Sequence, residues 1–545
     1  MEQSDSRAAL ALVDAVTQRV SRLLKDPAWW PMVLAAVTAH MDGRGMGITA
    51  LADTSGLPRS TAREAIFAMR AAGLLAFQPI SRSGRRCQIV PSASLLDAVR
   101  RLGDETIRMV VGSVRDGAFD GLAAAAQGAG ERYIAYPQPR ATGFDRDTQI
   151  HLFAYADPVF DILRRNREEI ELFAGCRLKV FTWTQDAYLT QLPGVLDAAM
   201  VPDIVAVPFP WLAEVEAGHG LLCLDGFVGA SPVFAAADYY PQVWNAGQVQ
   251  GRSFGIPVQP TVEFLWYRKD LFARRGLEPP HSFEQVLACA RALHQPGRNL
   301  AGIVWNAAPG VPIAETFLQL LGAQTGDPAD VGRPEALQTV HFLRELVRYS
   351  PPGLARMDWA RSAQSFGRGE AAMCLNWSNR LGLMEGFGLL HRRDEIGALE
   401  HPTVDPARRP VQPLGGALLA IPSRLDPARA ATAWRVIETL ASAELAKYFI
   451  LHGAVGNSLL AVAGDRYVDQ RSRLVGVIHR LAWENRIATF RDPELPAYSR
   501  VMAALSLRLT RMVFDPAADA AAELRHLARE LRAMRTPTQA AGPGA

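Results

Sequence analysis

The spacing of apolar and polar positions changes along the chain, and the change divides it. Near the amino terminus, apolar residues recur at helical intervals, which predicts helices over 7–25 and 28–41. The second of these carries Trp29, Trp30, Val33, Leu34 and Val37. The next stretch, ITALADTSGLPRSTAREAIFAMRAAGLL (Ile48–Leu75), reads as a short helix, a tight turn at Gly56 and a longer helix. Pro58 and Ser60 suit the start of that longer helix, and Gly73 suits its end. Ala65, Ile66, Met69 and Leu74 form its apolar face, leaving Arg59, Ser60, Thr61, Arg63 and Arg70 outside. This is the pattern of a helix-turn-helix with a cationic second helix. Strands over Leu75–Ile80 and Cys87–Val90 then form a hairpin, whose tip carries Arg82, Arg85 and Arg86 in the manner of a wing. A helix over 93–118 has an apolar stripe including Leu95, Leu96, Val99 and Leu102. That stripe suits either a core face or a homodimer contact.

From residue 148 the period changes. Gln149–Tyr155 (QIHLFAY) alternates like a strand, Pro158–Phe173 reads as a helix, and Arg177–Phe181 as a second strand. Thr184–Ala199 is helical, and Asp203–Val207 is a third strand. Strands alternating with helices predict a parallel sheet under covering helices. The alternation continues to about residue 440, and the remainder reads as helical. Between the two patterns, residues 119–147 are rich in Ala and Gly, then in Pro and Arg, as in a linker. The expected organisation is a winged helix-turn-helix over 1–118, a linker over 119–147, a two-lobed α/β domain over 148–535 and a disordered tail over 536–545.

Composition narrows the function classes. The 545 residues are 49% hydrophobic and 21% charged, which excludes a disordered chain. A net charge of +3 implies no polyanionic partner by itself. Five scattered cysteines without a CxxC pair argue against a disulfide framework or a zinc site, and no metal or cofactor is expected. There is no GxSxG, HExxH, P-loop or GxGxxG motif, so an enzyme is not expected. No apolar run reaches the length of a membrane span, and the amino terminus lacks a signal-peptide pattern, so a cytoplasmic protein is expected.

Five segments, in order, carry a resemblance. They are FTWTQDAYLTQL at Phe181–Leu192, the PDIVAV strand within Val201–Val228, FGIPVQPTVEFLWYRKDLF from Phe254, FGRGEAAMCLNWS at Phe366–Ser378, and PLGGALLAIPSRLDPARAATAWRVIETLASAELAKYF at Pro413–Phe449. Together they resemble the family 1 extracellular, type II periplasmic solute-binding proteins that receive sugars and oligosaccharides. The resemblance implies two α/β lobes closing over a solute at their interface. The winged-helix pattern, in turn, resembles those of GntR- and MarR-type regulators, and the STAREAI segment is similar to the GntR recognition helix.

Sugar sites need aromatic faces beside fixed polar groups. By position in the resembled family, the ligand candidates are Tyr155, Asp157, Trp183, Trp211, Gln259, Trp305, Asn376, Trp377, Gly415 and Gly416. Core packing is the competing reading of each tryptophan, and Trp183 and Trp377 are placed foremost at the cleft. The DNA candidates are Arg59, Ser60, Thr61, Arg63, Arg82, Arg85 and Arg86. The combined expectation is a ligand-responsive transcriptional regulator that binds double-stranded DNA and a carbohydrate. The alternatives are the solute-binding component of an ABC-type importer with an atypical amino terminus, and a scaffold that uses both parts for protein contacts.

Overall fold

In the computed structural model the chain divides into two units, Met1–Glu131 and Arg132–Ala545. The structure describes residues 29–41, 46–55, 59–79, 87–99 and 148–535, the last with interruptions at 199–200, 232–233, 327–329, 387–394, 457–458 and 491–497. Outside these it describes residues 20, 24, 26, 101, 102, 134, 135 and 137.

In the first unit, helices Trp30–Met41, Ile48–Asp53 and Arg59–Ala71 precede an antiparallel pair, β1 (Leu75–Pro79) and β2 (Cys87–Pro91). Met32, Val33, Leu51, Ile66, Met69, Leu75 and Ile89 form its core. The apolar face predicted for the third helix is therefore the buried one, and Ser60, Thr61 and Arg63 are exposed. The expected wing arginines Arg82, Arg85 and Arg86 lie outside the described residues, as do the side chain of Arg59, most of the helix expected over 7–25, the greater part of the helix expected over 93–118, and the tail over 536–545.

The second unit begins with β3 (Gln149–Tyr155), β4 (Arg177–Trp183) and β5 (Ile204–Pro208), which run parallel to one another with β3 in the middle. Every residue of β5, IVAVP, is buried, as expected of a strand covered on both faces. The helix predicted over 158–173 is two helices, Pro158–Arg165 and Arg167–Ala174, separated at Asn166, whose backbone leaves the helical region. Asp157 caps the first by accepting from the Val159 N–H, and Pro158 takes the first helical position, where its missing N–H costs nothing.

After a short antiparallel pair, β6 (Gln248–Val249) and β7 (Arg252–Ser253), comes the strand that joins the lobes. β8 (Ile256–Arg268) pairs over Ile256–Val262 with β11 (Gln412–Ala420), which in turn pairs with β5. Over Glu263–Arg268, β8 pairs instead with β9 (Met373–Trp377) and β10 (Ile396–Leu399). The first half of β8 thus belongs to one lobe and the second half to the other. Both join a sheet of eight described strands that is completed by β12 (Ile487–Ala488) on β11. The register of β8 with β11 slips between Ala417 and Leu418. Just before the slip, Gly416 has φ +136°, and a Cβ there would lie 2.2 Å from the Gln259 carbonyl oxygen, so only glycine fits. The helix Tyr498–Phe514 packs on the helices Val311–Thr325 and Pro334–Val347.

Candidate functional site

The ends of β3, β5 and β9 and the middle of β11 open onto one cavity between the lobes. β3 delivers Tyr155 and Asp157, β9 delivers Trp377, and β11 delivers Gly415 and Gly416. The opposite wall comes from helices: Glu315 and Gln319 on Val311–Thr325, and Trp359 at the start of Trp359–Gly367. A Cβ on Gly415 would lie 2.8 Å from the Trp377 ring, so that glycine lets the indole lie against the strand. The Tyr155 hydroxyl donates to the Gly416 carbonyl at 3.3 Å.

Polar groups fix the floor. Asn379 donates to both carboxylate oxygens of Asp157, at 3.2 and 3.0 Å, and Arg380 approaches the same carboxylate at 3.7 Å. Burial raises the Asp157 carboxyl above the usual carboxylate range, and the Arg380 charge pulls it partly back. Behind the wall, the carboxylate of Glu263 is wholly buried beside His401, at 3.1 Å, and accepts from Asn306. With its amide nitrogen turned toward Glu263, Gln319 donates to that carboxylate at 2.7 Å. Glu315 has no hydrogen bond or ion pair among the described residues. Burial, then the charges of Glu263 and Asp186, push its carboxyl up to about 8. Three further buried polar atoms of the lining side chains have no partner among the described residues: the indole nitrogen of Trp359, Oδ1 of Asn379 and Nε of Arg380.

A second, more open cavity lies between the helix Tyr498–Phe514 and the start of Val311–Thr325, with Asp186 and Trp211 in its wall. The Trp211 ring stands edge-on to Tyr498, which lines the first cavity.

Of the ligand candidates, Tyr155, Asp157, Trp377, Gly415 and Gly416 share the first cavity, and Trp211 borders the second. Four others lie elsewhere. Trp183 is half-buried on β4 among Phe153, Phe181 and Tyr188, because β4 is an outer strand of the sheet. Trp305 is fully buried. Gln259 donates to the Ala454 carbonyl at 2.9 Å. Asn376 donates to the Trp359 carbonyl and to Ser362, and its Oδ1 accepts from the Trp377 N–H. It therefore holds two lining tryptophans in place rather than facing the cavity itself. Glu315, Gln319, Trp359, Asn379 and Arg380 were missed. Glu315 had a signal, since it is the lone charge in the run VPIAETFLQLLGAQ.

Among the described residues, no group of three or more His, Cys, Asp or Glu is placed to hold a metal ion. No described helix is long and apolar enough to cross a membrane.

Residues 185–465, more than half of the chain, match the family described as bacterial extracellular solute-binding protein. A protein of Escherichia coli K12 named as a putative ABC transporter periplasmic-binding protein is 24% identical over 187 residues, 33% of this chain and 43% of that protein. A mannitol-binding protein of Pseudomonas aeruginosa is 25% identical over 165 residues, 28% of this chain and 38% of that protein. The chain thus spans less than half the length of these curated relatives. The structure of an ABC transporter solute-binding protein of Agrobacterium radiobacter K84, in complex with ribitol, superposes with a TM-score of 0.63 at 24% identity. The superposition covers 72% of this chain and all of that one. At this identity the likeness establishes the two-lobed fold.

These matches overturn the expectation of a DNA-binding transcriptional regulator in the cytoplasm. The family is one of extracellular binding proteins, and the relatives are transporter receptors rather than regulators. The helical pattern at the amino terminus misled because a short helix, a turn and a cationic helix define a local shape, whereas the family is defined by the larger unit that follows. The reading of five motifs in register stands: a solute-binding domain, in a family that is not one of enzymes, and this chain belongs to the bacterial extracellular solute-binding proteins.

Proposed function

We propose that the second unit is the solute receptor of an ABC-type importer and that it takes a sugar or sugar alcohol in the cavity between its lobes. One observation carries the reading: the aromatic side chains of Tyr155, Trp359 and Trp377 and the polar side chains of Asn379 and Arg380 line one cavity at the junction of the lobes. Solutes with many hydroxyls both donate and accept, and their CH faces stack on indole. The ribitol named with one structural neighbour and the mannitol named with one relative are such solutes. In this reading Trp359 and Trp377 sandwich the carbon chain. Asn379 and Arg380 meet its hydroxyls, and Tyr155, Asp157, Gly415 and Gly416 shape the floor. Trp211 belongs to an extension that admits a longer solute.

A winged helix-turn-helix architecture of the first unit is part of the same proposal. It is supported by the order of the helices Ile48–Asp53 and Arg59–Ala71 followed by the β1–β2 pair.

A thermal-shift panel of sugars and sugar alcohols on the full chain tests the receptor reading. A bound solute at a hundredfold excess over its dissociation constant should add about 2.7 kcal/mol of stability. A panel without a single stabilising member would refute it.

A further inference from the structure

Between Val311 and Gln324, every residue of the helix is buried except Glu315. Its side chain reaches solvent where it lines the cavity, and among the described residues it has no hydrogen bond or ion pair. The surrounding charges do not balance it. Arg380, which also lines the cavity, is engaged by Asp157. Glu263, behind Glu315, is already beside His401. Asp186, in the wall of the adjoining cavity, is itself pushed up by burial and by Asp358. In the adjoining cavity, Arg511 pairs with Glu523 at 3.0 Å. Glu315 therefore has no counter-charge among the described residues, and the Tyr155, Trp359 and Trp377 rings share its cavity. Aromatic faces and an unpaired acid together attract a cation far better than either does alone.

We propose that the preferred solute of this cavity is a hydroxylated amine, a sugar or sugar alcohol bearing one protonated nitrogen, and that Glu315 binds the ammonium group. The proposal rests on the receptor reading and narrows it. A neutral solute leaves the Glu315 carboxyl protonated near pH 7, since burial and the neighbouring Glu263 and Asp186 already favour that form. An ammonium group does the reverse. It favours the carboxylate, so its arrival expels the proton from Glu315 into the buffer.

The test is calorimetric titration of the full chain with two pairs of probes: sorbitol against 1-amino-1-deoxysorbitol, and glucose against glucosamine. Each titration is run at pH 7 in phosphate and in MOPS, neither of which is a hydroxylated amine. The aminated member of at least one pair should bind about tenfold or more tightly than its neutral partner. It should also release close to one proton, while the neutral member releases none. Glu315→Gln should abolish both the preference and the proton release. Equal affinity within each pair, or a preference that survives in Glu315→Gln, overturns the proposal and leaves the receptor reading standing. Failure of all four probes and of the wider sugar panel would overturn both.

Discussion

Single side chains separate the groups that build the cavity from those that line it. Trp377 is half-buried with its ring against Gly415, whereas Trp305 is wholly buried in the core. Trp377→Ala should therefore weaken solute binding with little change in melting temperature. Trp305→Ala should cost about 3–5 kcal/mol of stability, read by chemical denaturation. Glu315 gives a pH signature of its own. Its carboxyl is raised in the folded chain to about 8, so between the unfolded carboxylate range and pH 8 the native state holds a proton that the unfolded state has lost. Stability from this group is greatest at low pH and is lost as pH rises toward 8. Glu315→Gln should thus be more stable than the native sequence at pH 8, on the order of 1–3 kcal/mol after allowance for solvent at the cavity mouth, with the gain vanishing near pH 4. A gain that stays constant across this range would contradict the assignment. The residue candidates drawn from strand ends were legible because parallel sheets present their carboxyl ends to ligands. Tyr155 and Asp157, at the end of the parallel strand β3, follow that rule, whereas Trp377 lines the cavity from β9, which runs antiparallel to β8. Glu315 and Trp359 come from helices, where no such positional rule exists.

At the scale of elements, the parallel strands β3, β4 and β5 and the helices between them were readable from periodicity, whereas the antiparallel pairing of β8 with β9, β10 and β11 was not. The break at Asn166 was not, because neither Pro nor Gly marks it. Contacts far apart in sequence were also beyond reach. Ile134 donates its N–H to Asp465 at 2.7 Å, and its carbonyl accepts from Lys447, which also meets Asp465 at 2.9 Å. Asp465 caps the helix Arg466–Arg471 as well. Burial raises its carboxyl, but the hydrogen bonds from Ile134 and Lys447 outweigh that and hold it below the usual range. Asp465→Asn leaves the Lys447 charge buried without its counter-charge and should cost about 3–5 kcal/mol in denaturant unfolding. Gly416→Ala should also destabilise, by about 1–3 kcal/mol, because the added Cβ meets a backbone carbonyl that cannot swing aside. Substitution at Gly276, also at positive φ but with no atom near its Cβ, should cost less. The contrast between the two glycines isolates the lobe junction.

At the scale of the whole molecule, β8 runs through both lobes, and β11 pairs with it just where the register slips. A solute held between the lobes favours whichever arrangement of these strands brings both walls to it, and no other source of coupling is needed. Regular motifs in register identified this unit from the sequence. The amino-terminal pattern misdirected the functional reading because it described a shape, and shape does not carry function. The central claim is that a hydroxylated solute binds between Trp359 and Trp377. Titration of intrinsic tryptophan fluorescence in the full chain, with the best-stabilising member of the sugar panel, tests it most directly. A saturable change that is lost in the Trp359→Phe, Trp377→Phe double variant, with the melting temperature of the unliganded chain preserved, is the predicted result. A saturable change of undiminished size in that double variant would contradict it.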